Sequence, residues 1–182
     1  CLSNNMLKSL DPKIFSHLVN LRFLYLAGNR FKRLDPFLFR GLDQLEKLDL
    51  SFNFLSSLDS KLFVDVVKLK FLDLRTNRLN KTELDASVFR NLRQLEGLDL
   101  SGNNLGSLDP TIFSNLINLQ TLKLERNRLT SLGTTDIFSG QKNSLKHISL
   151  KENQISRIEP DIFSGLCKLE ELDLEKNIGE LL

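Results

Sequence analysis

The sequence predicts an α/β protein built as a curved solenoid of stacked repeats, with a parallel β-sheet on its concave face. The first reason is an asparagine that recurs every 24 or 26 residues along the chain. The second is that each of these asparagines except the first closes a nine-residue phrase of one design. A fixed period of this length indicates one supersecondary unit stacked many times. The recurring residues are Asn5, Asn29, Asn53, Asn77, Asn103, Asn127, Asn153 and Asn177.

Each phrase contains a short predicted strand. Residues 23–27 read Phe-Leu-Tyr-Leu-Ala, in which leucines alternate with other residues. This is the period of a strand that buries one face and exposes the other. We therefore expect Leu24, Leu26 and their equivalents in the core, and the residues between them on the outer surface of the sheet.

The recurring asparagine follows each strand, where the chain turns away while its amides are still inside the stack. An asparagine side chain offers an acceptor and two donors and can bond the main chain above and below it. We expect a buried structural ladder formed by Asn29, Asn53, Asn77, Asn103, Asn127, Asn153 and Asn177.

The return arm of the repeat carries all four prolines, each preceded by an acidic residue and followed three positions later by phenylalanine. An acidic N-cap before a proline favours the start of a short helical turn. The convex face is therefore predicted to hold short helical turns or irregular arms, and their greater width makes the stack curve. The outer side of the core is predicted to be a stack of Phe15, Phe39, Phe63, Phe89, Phe113, Phe138 and Phe163.

The order of leucine, asparagine and phenylalanine within the repeat resembles the typical 24-residue class of extracellular leucine-rich repeats. That class occurs in Toll-like receptor ectodomains, lamprey variable lymphocyte receptors, Slit-type guidance proteins and small proteoglycans. The resemblance covers residues 2–177, and Toll-like ectodomains look nearest, because 48–51 and 98–101 both read Leu-Asp-Leu-Ser and a Glu-Pro-Asp-Ile-Phe run ends at Phe163. The resemblance implies ligand recognition in immunity, whereas the periodicity itself indicates only a shape.

Composition fits this interpretation. A chain of 182 residues that is 41% hydrophobic can bury a continuous core. The net charge is +2, and basic and acidic residues are interleaved, so charge predicts no nucleic-acid partner. No apolar run approaches the roughly 20 residues that cross a bilayer. We expect contact with a membrane only through parts of a longer chain.

The ends suggest a fragment. We expect 1–182 to be a single solenoid segment of about seven full repeats plus partial ends, with the polar caps of a complete solenoid missing. Cys1 and Cys167 are about seven rungs apart, roughly 30 Å at strand spacing, which is too far for a disulfide. Cys1 is either the last cysteine of a truncated cap or a plain thiol.

Two repeats are longer than the rest. The first carries the sequon Asn80-Lys81-Thr82, so Asn80 is the predicted glycosylation site. The second has loop-like composition at 133–136 and 141–144. Insertions of this kind either touch partners on a lateral face or are tolerated loop variation.

The inventory of side chains does not predict an enzyme. The only histidines, His17 and His147, have no second ligand at metal-binding spacing, so no metal site and no cofactor are predicted. Serines are scattered in turns, and no nucleophile, base and orienting acid can be placed together.

The outward strand positions are the candidate ligand-binding residues. They grade from aromatic, through a carboxylate ladder, to a basic patch. The aromatic rings either contact a ligand or pack on one another as cross-strand pairs, and the ladder carboxylates are either ligand contacts or satisfied by Ser51, Arg75 and Ser101. The candidates are Phe23, Tyr25, Phe52, Phe71, Asp49, Asp73, Asp99, Lys123, Arg126, His147 and Lys151.

The sequence thus predicts a non-catalytic recognition module of a secreted protein or receptor ectodomain, extracellular and innate-immune by resemblance. Its partner is expected to be a protein or another macromolecule on the concave or lateral face. The alternative is a structural or adhesive protein of the extracellular matrix or guidance type. A soluble immune effector resembling a lamprey receptor is a third reading.

Overall fold

The computed structural model describes residues 1–81, 84 and 86–178. Seven three-residue strands form one parallel sheet, and each strand pairs with its neighbours in chain order. This is the architecture of a curved solenoid, as the period predicts. The strands are β1 (Phe23–Tyr25), β2 (Lys47–Asp49), β3 (Phe71–Asp73), β4 (Gly97–Asp99), β5 (Thr121–Lys123), β6 (His147–Ser149) and β7 (Glu171–Asp173).

The strands stack without slippage, so equivalent residues of successive repeats lie opposite one another. Leu24 pairs with Leu48, and Leu48 with Leu72. All three point inward and are at most 5% exposed. A shift of one residue would turn these leucines outward, so core burial fixes the register. The same register arranges the outward side chains in straight columns across the sheet.

The asparagine ladder holds neighbouring rungs together. Asn127 donates from Nδ2 to the carbonyl oxygens of Leu100 on the preceding rung (3.0 Å) and of Leu124 (3.0 Å) and Glu125 (3.2 Å) on its own. Its Oδ1 accepts from the amide of Leu105 (3.1 Å). The same links to the preceding rung recur at Asn29, Asn53, Asn77, Asn103, Asn153 and Asn177.

One asparagine departs from the predicted ladder. Asn177 makes the bonds but is only half-buried. Asn5, which was not predicted as a ladder member, is exposed, and among the described residues its side chain bonds the nearby carbonyls of Leu2 and Ser3.

The convex arms are mostly turns. The carboxylate of Asp59 accepts the amide of Lys61 (2.8 Å) and the amide of Leu62 bonds the Asp59 carbonyl (3.0 Å), so aspartate caps a single turn even where no proline follows. Such short arms do not sustain regular helix. The described residues form two 3-10 helices, Ala86–Phe89 and Ser139–Gln141, and both lie in the longer repeats.

Phenylalanines from the arms line the convex side of the core. The rings of Phe39 and Phe63 stack with centroids 6.4 Å apart, as do those of Phe63 and Phe89. Phe113, Phe138 and the half-buried Phe163 form a second stack, with centroids 6.5 and 6.1 Å apart. The predicted column is therefore seen as two stacks of three rings, and Phe15 is buried without a ring contact among the described residues.

Gln141 is a buried polar residue that the repeat pattern does not predict. It is fully buried at an arm position that leucine or valine fills in other repeats. Its Nε2 donates to the carbonyl oxygens of Phe113 (2.6 Å) and Leu116 (3.1 Å) on the preceding arm. Gln141 thus joins its arm to the preceding arm through hydrogen bonds from its side chain to main-chain carbonyls.

The two cysteines, Cys1 and Cys167, are exposed free thiols, in agreement with their separation along the stack.

Candidate recognition surface on the concave sheet

The exposed aromatic residues of the sheet face do not form one contiguous cluster. Phe23 and Phe71 are 49% and 46% exposed, and the register places Lys47 between them. Each of three rings lies beneath a cation instead of beside another ring. Arg22 lies 5.3 Å from the Phe23 centroid, Lys47 5.6 Å from the Tyr25 centroid, and Arg75 5.5 Å from that of Phe52.

Phe52 stands at the end of its strand in a left-handed conformation, with φ of 52°. The equivalent positions of the other repeats share this conformation. Two hold glycine, which adopts it without strain, and the others hold non-glycine residues: Gly28, Gly102, Thr76, Arg126, Glu152 and Lys176. Phe52 is nevertheless 53% exposed, so burial of its ring in the core does not offset the backbone strain. A large apolar side chain kept at this position is available for contact with a partner.

The carboxylate ladder is satisfied to different degrees on its three rungs. Asp49 accepts both the amide (3.0 Å) and the hydroxyl (2.6 Å) of Ser51. Asp73 accepts the amide of Arg75 (3.0 Å) and pairs with its guanidinium (3.2 Å). Among the described residues, Asp99 accepts only the amide of Ser101 (2.9 Å), and the buried Ser101 hydroxyl has no hydrogen-bond partner there. Asp99 is thus the carboxylate least occupied by its own repeat.

Burial and like charge affect the middle of the ladder. Desolvation raises the pKa of the Asp73 carboxyl above its ordinary value, and the charges of Asp99 and Asp49 add to that rise. The Arg75 amide and guanidinium oppose it without cancelling it. A cation brought to this part of the sheet would relieve the repulsion between neighbouring carboxylates.

A shallow recess opens beside this ladder because β4 begins with glycine. The ring of Phe71 leans over Gly97 so closely that a Cβ there would lie 2.9 Å from Phe71 Cδ1. The space is about 270 Å³ and has an apolar floor and wall. Asp73, Asp99 and Thr121 line its rim, and lysines stand at its two ends: Lys47 and Lys123.

The basic patch predicted around β5 and β6 is largely neutralised. Arg126 pairs with Glu152 (3.0 Å), Lys151 pairs with Glu175, and His147 lies 3.9 Å from a Glu170 carboxylate oxygen. Lys123 is exposed and makes no ion pair within the described part of the chain. The acidic partners come from the following rung, one repeat on, so a rung-by-rung reading of the sequence missed them.

The predicted glycosylation site lies at the margin of the described structure. Asn80 is half-buried, in the turn that follows the Asn77 rung. Thr82, which completes the sequon, lies outside the described residues. The second expanded loop is described, and Thr134 in it is exposed.

Gly97 is the site residue that sequence reasoning missed. It is one of the outward strand residues, but a residue without a side chain offers no chemistry to single it out. Its neighbour across the sheet is Phe71. The signal was the juxtaposition of glycine with a large aromatic in the adjacent repeat, which becomes visible once the repeats are aligned in register.

Comparison with known families places the fold. The family model described as leucine rich repeat matches residues 1–31, 24–79, 80–129 and 117–177. The chain therefore belongs to the leucine-rich-repeat family. No curated protein sequence matches it.

Solved structures extend the comparison. The chain is similar to TLR13 in its complex with the RNA ssRNA13, with a TM-score of 0.89 and 30% identity over 97% of this chain and 24% of that one. A leucine-rich-repeat protein of Leptospira interrogans has a TM-score of 0.83 and 29% identity, over 97% of this chain and 42% of that one. Toll, in the Drosophila Toll–Spätzle complex, has a TM-score of 0.65 and 25% identity, over 94% of this chain and 30% of that one. The chain spans less than half the length of each.

No helix in the described residues has the length and apolar character of a membrane span. Within the same ranges, no three histidine, cysteine, aspartate or glutamate side chains are grouped to hold a metal ion.

Proposed function

We propose that this chain is a non-catalytic recognition module that binds a protein ligand on its concave sheet, with the recess beside Phe71 and Gly97 as the centre of contact. The observation that carries the proposal is the combination of an apolar recess with an incompletely satisfied carboxylate, Asp99, at its rim. Protein interfaces concentrate their free energy in such partly enclosed pockets that hold aromatic or arginine anchors.

The recess favours a long basic side chain. The stem of an arginine or lysine fits the apolar wall formed by Phe71, and its charged head reaches the carboxylates of Asp73 and Asp99. Lys47 and Lys123 at the ends favour carboxylates on the flanking residues of the ligand. We therefore infer a ligand segment with one central basic residue between acidic ones.

We place the module in the extracellular part of an innate-immune receptor. The support is the likeness to TLR13, and to Toll, whose complex is described as a hub in Drosophila development and innate immunity. Because this chain spans about a quarter of the TLR13 chain, the receptor assignment concerns a longer protein of which this segment is one part.

Extracellular location is tested through Asn80. Expressed through a secretory pathway, the chain is expected to carry one N-linked glycan that Asn80→Gln removes. Intact mass measures the glycan directly. The unmodified mass in the wild-type product would contradict secretion with an accessible sequon.

Binding is tested by selecting peptides from a displayed library on the immobilised chain. Gly97→Thr is the discriminating variant, since a Cβ there would lie 2.9 Å from Phe71 Cδ1 and would displace the ring that forms the recess, while a β-branched residue suits a strand. Selected peptides should share a basic residue between acidic ones and should bind Gly97→Thr at least about tenfold more weakly. Lys13→Ala, on an exposed convex arm, is the matched control and should bind like wild type.

Peptides that bind Gly97→Thr and Phe71→Ala as tightly as wild type would overturn the concave site. If those same peptides lost affinity when the loop around Thr134 was altered, the lateral face would replace it. Circular dichroism of each variant establishes that the fold is retained before affinities are compared.

A further inference from the structure

The edge of the solenoid that follows the asparagine turns carries a second charged surface. We define the basic edge as Lys8, Arg30, Lys32, Arg33 and Arg78, together with Phe54. All five cations are exposed, and Phe54 is 38% exposed.

The repeat register aligns these residues in columns. Arg30, Phe54 and Arg78 occupy equivalent positions, and each donates its main-chain amide to a carbonyl of the preceding rung at 2.8 to 2.9 Å. Lys8 and Lys32 form a second column one turn further along the chain. The Arg78 guanidinium lies 4.7 Å from the Phe54 ring centroid, so the first column reads cation, ring, cation.

In the part of the chain that the structure describes, the cations of the basic edge form no ion pairs, unlike many charges on or beside the sheet. Arg22 pairs with Glu46 at 2.6 Å and Lys70 with the same carboxylate at 3.5 Å. Within the described ranges, neither Arg30 nor Arg33 has an ion-pair partner. The overall charge is only +2, so this surplus is a local property of one edge.

Two acids close to the basic edge in sequence, Asp11 and Asp35, cap turns of the convex arms. Asp11 Oδ1 accepts the amide of Lys13 (2.8 Å), and Asp35 Oδ1 accepts that of Phe37 (2.9 Å). Both carboxylates are thus already used within their own turns.

We propose that the basic edge binds a short acidic segment of a protein partner, at a site separate from the concave recess. Arginine forks bind carboxylates in two-pronged geometry, and arginine with exposed phenylalanine is the composition of interface anchors. From Lys8 to Arg78 the basic edge spans three rung spacings, roughly 15 Å, which matches about five residues of extended chain. The segment therefore carries several carboxylates and one apolar residue for Phe54.

A protein segment fits better than a nucleic acid or a sulfated glycan. The Phe54 ring is already faced by Arg78, which leaves it as an apolar contact and not as an open platform for stacking a base. The cations are also interrupted along the stack. The uncharged rung of Asn104, Gly106 and Ser107 separates the basic edge from the exposed Arg128, the next cation of the first column, so a polymer would meet no continuous line of charge.

The test is the affinity of a fluorescent glutamate-rich peptide with one central phenylalanine, measured by anisotropy on the full chain. The combined variant Arg30→Glu/Arg33→Glu/Arg78→Glu should bind at least about tenfold more weakly. Phe54→Ala should also weaken binding, by about threefold or more. The control Arg90→Glu/Arg93→Glu/Lys168→Glu changes net charge equally on the convex arms and should stay within about twofold of wild type.

Equal losses in the two triple variants would show that net charge alone drives binding and would overturn the proposal, as would no binding of the peptide to wild type. A heparin fragment or a uridine oligonucleotide that outcompetes the peptide, with Phe54→Ala indifferent, would replace the protein segment by a polyanion. Gly97→Thr should leave peptide binding unchanged, which separates failure of this site from failure of the concave one. Melting curves of each variant verify folding.

Discussion

Replacing one asparagine of the ladder tests how the rungs are joined. Asn103 is 5% exposed, and its Oδ1 accepts the amide of Leu79 at 3.0 Å. Its Nδ2 donates to the carbonyl oxygens of Leu74, Leu100 and Ser101 at 3.1, 3.0 and 3.3 Å. Asn103→Ala leaves the buried Leu79 amide without its acceptor, at a cost of roughly 1–3 kcal/mol in the free energy of unfolding.

Asn103→Asp sharpens the test. The carboxylate keeps the acceptor for the Leu79 amide but faces three carbonyl oxygens without a proton to donate. At neutral pH it should destabilise more than alanine does. Because this environment raises the pKa of the introduced carboxyl above its unfolded value, the extra loss should develop as pH rises through the unfolded pKa and should vanish in acid.

Urea unfolding followed by circular dichroism measures both variants, with a constant m-value as the check that the transition is unchanged in extent. Asn104→Ala, at the exposed neighbouring position, is the control and should change stability by less than about 0.5 kcal/mol. Equal stabilities for Asn103→Ala and Asn104→Ala would refute the account of the ladder.

Three further changes test the core, the strained turn and the carboxylate ladder. Phe63→Ala should cost about 3–5 kcal/mol, because the fully buried ring stacks on both neighbouring arms, whereas the exposed Phe37→Ala should cost under about 1 kcal/mol; urea unfolding compares them. Phe52→Gly should change stability by less than about 1 kcal/mol, because relief of the left-handed backbone offsets the entropy of glycine; a larger loss in thermal unfolding would mean that the ring packs in the native state. Burial raises the Asp73 pKa, so wild type should lose stability relative to Asp73→Asn as pH rises from acid through the ordinary carboxyl range, and a flat difference between the two unfolding curves would exclude the shift.

The fold could be predicted from the sequence because each repeat contains the residues that determine its own strand, turn and arm. Alternation of leucine predicted the buried face of β1 to β6, but Leu172 on β7 is 36% exposed and not in the core. Asn127 and its equivalents were placed correctly because an amide side chain can bond the main chain of two rungs. The pattern also predicted the phenylalanine stack through Phe63. It did not predict Gln141, because a polar side chain in a leucine position depends on carbonyls of the preceding arm.

The surface was less predictable because its charge pairing and side-chain contacts depend on residues from adjacent repeats. Arg126 looked like part of a basic patch until the register brought Glu152 from the next rung beside it. The aromatic residues looked clustered until Lys47 was found between two of them. Gly97 became a candidate site residue only because the ring of Phe71, in the preceding repeat, lies over it. Neighbours in a column across the sheet are thus residues one repeat apart in sequence, and a pattern read within a single repeat does not include them.

The central claim, that the concave recess receives a basic side chain, is tested most directly by a double-mutant cycle between Asp99→Asn and a peptide selected on the chain. Asparagine keeps the acceptor for the Ser101 amide, so the variant removes charge with little change in shape. Replacing the central basic residue of the peptide by glutamine completes the cycle, and isothermal titration measures the four affinities. We predict a coupling energy of about 1 kcal/mol or more. Additive losses, with coupling below about 0.3 kcal/mol, would contradict the account.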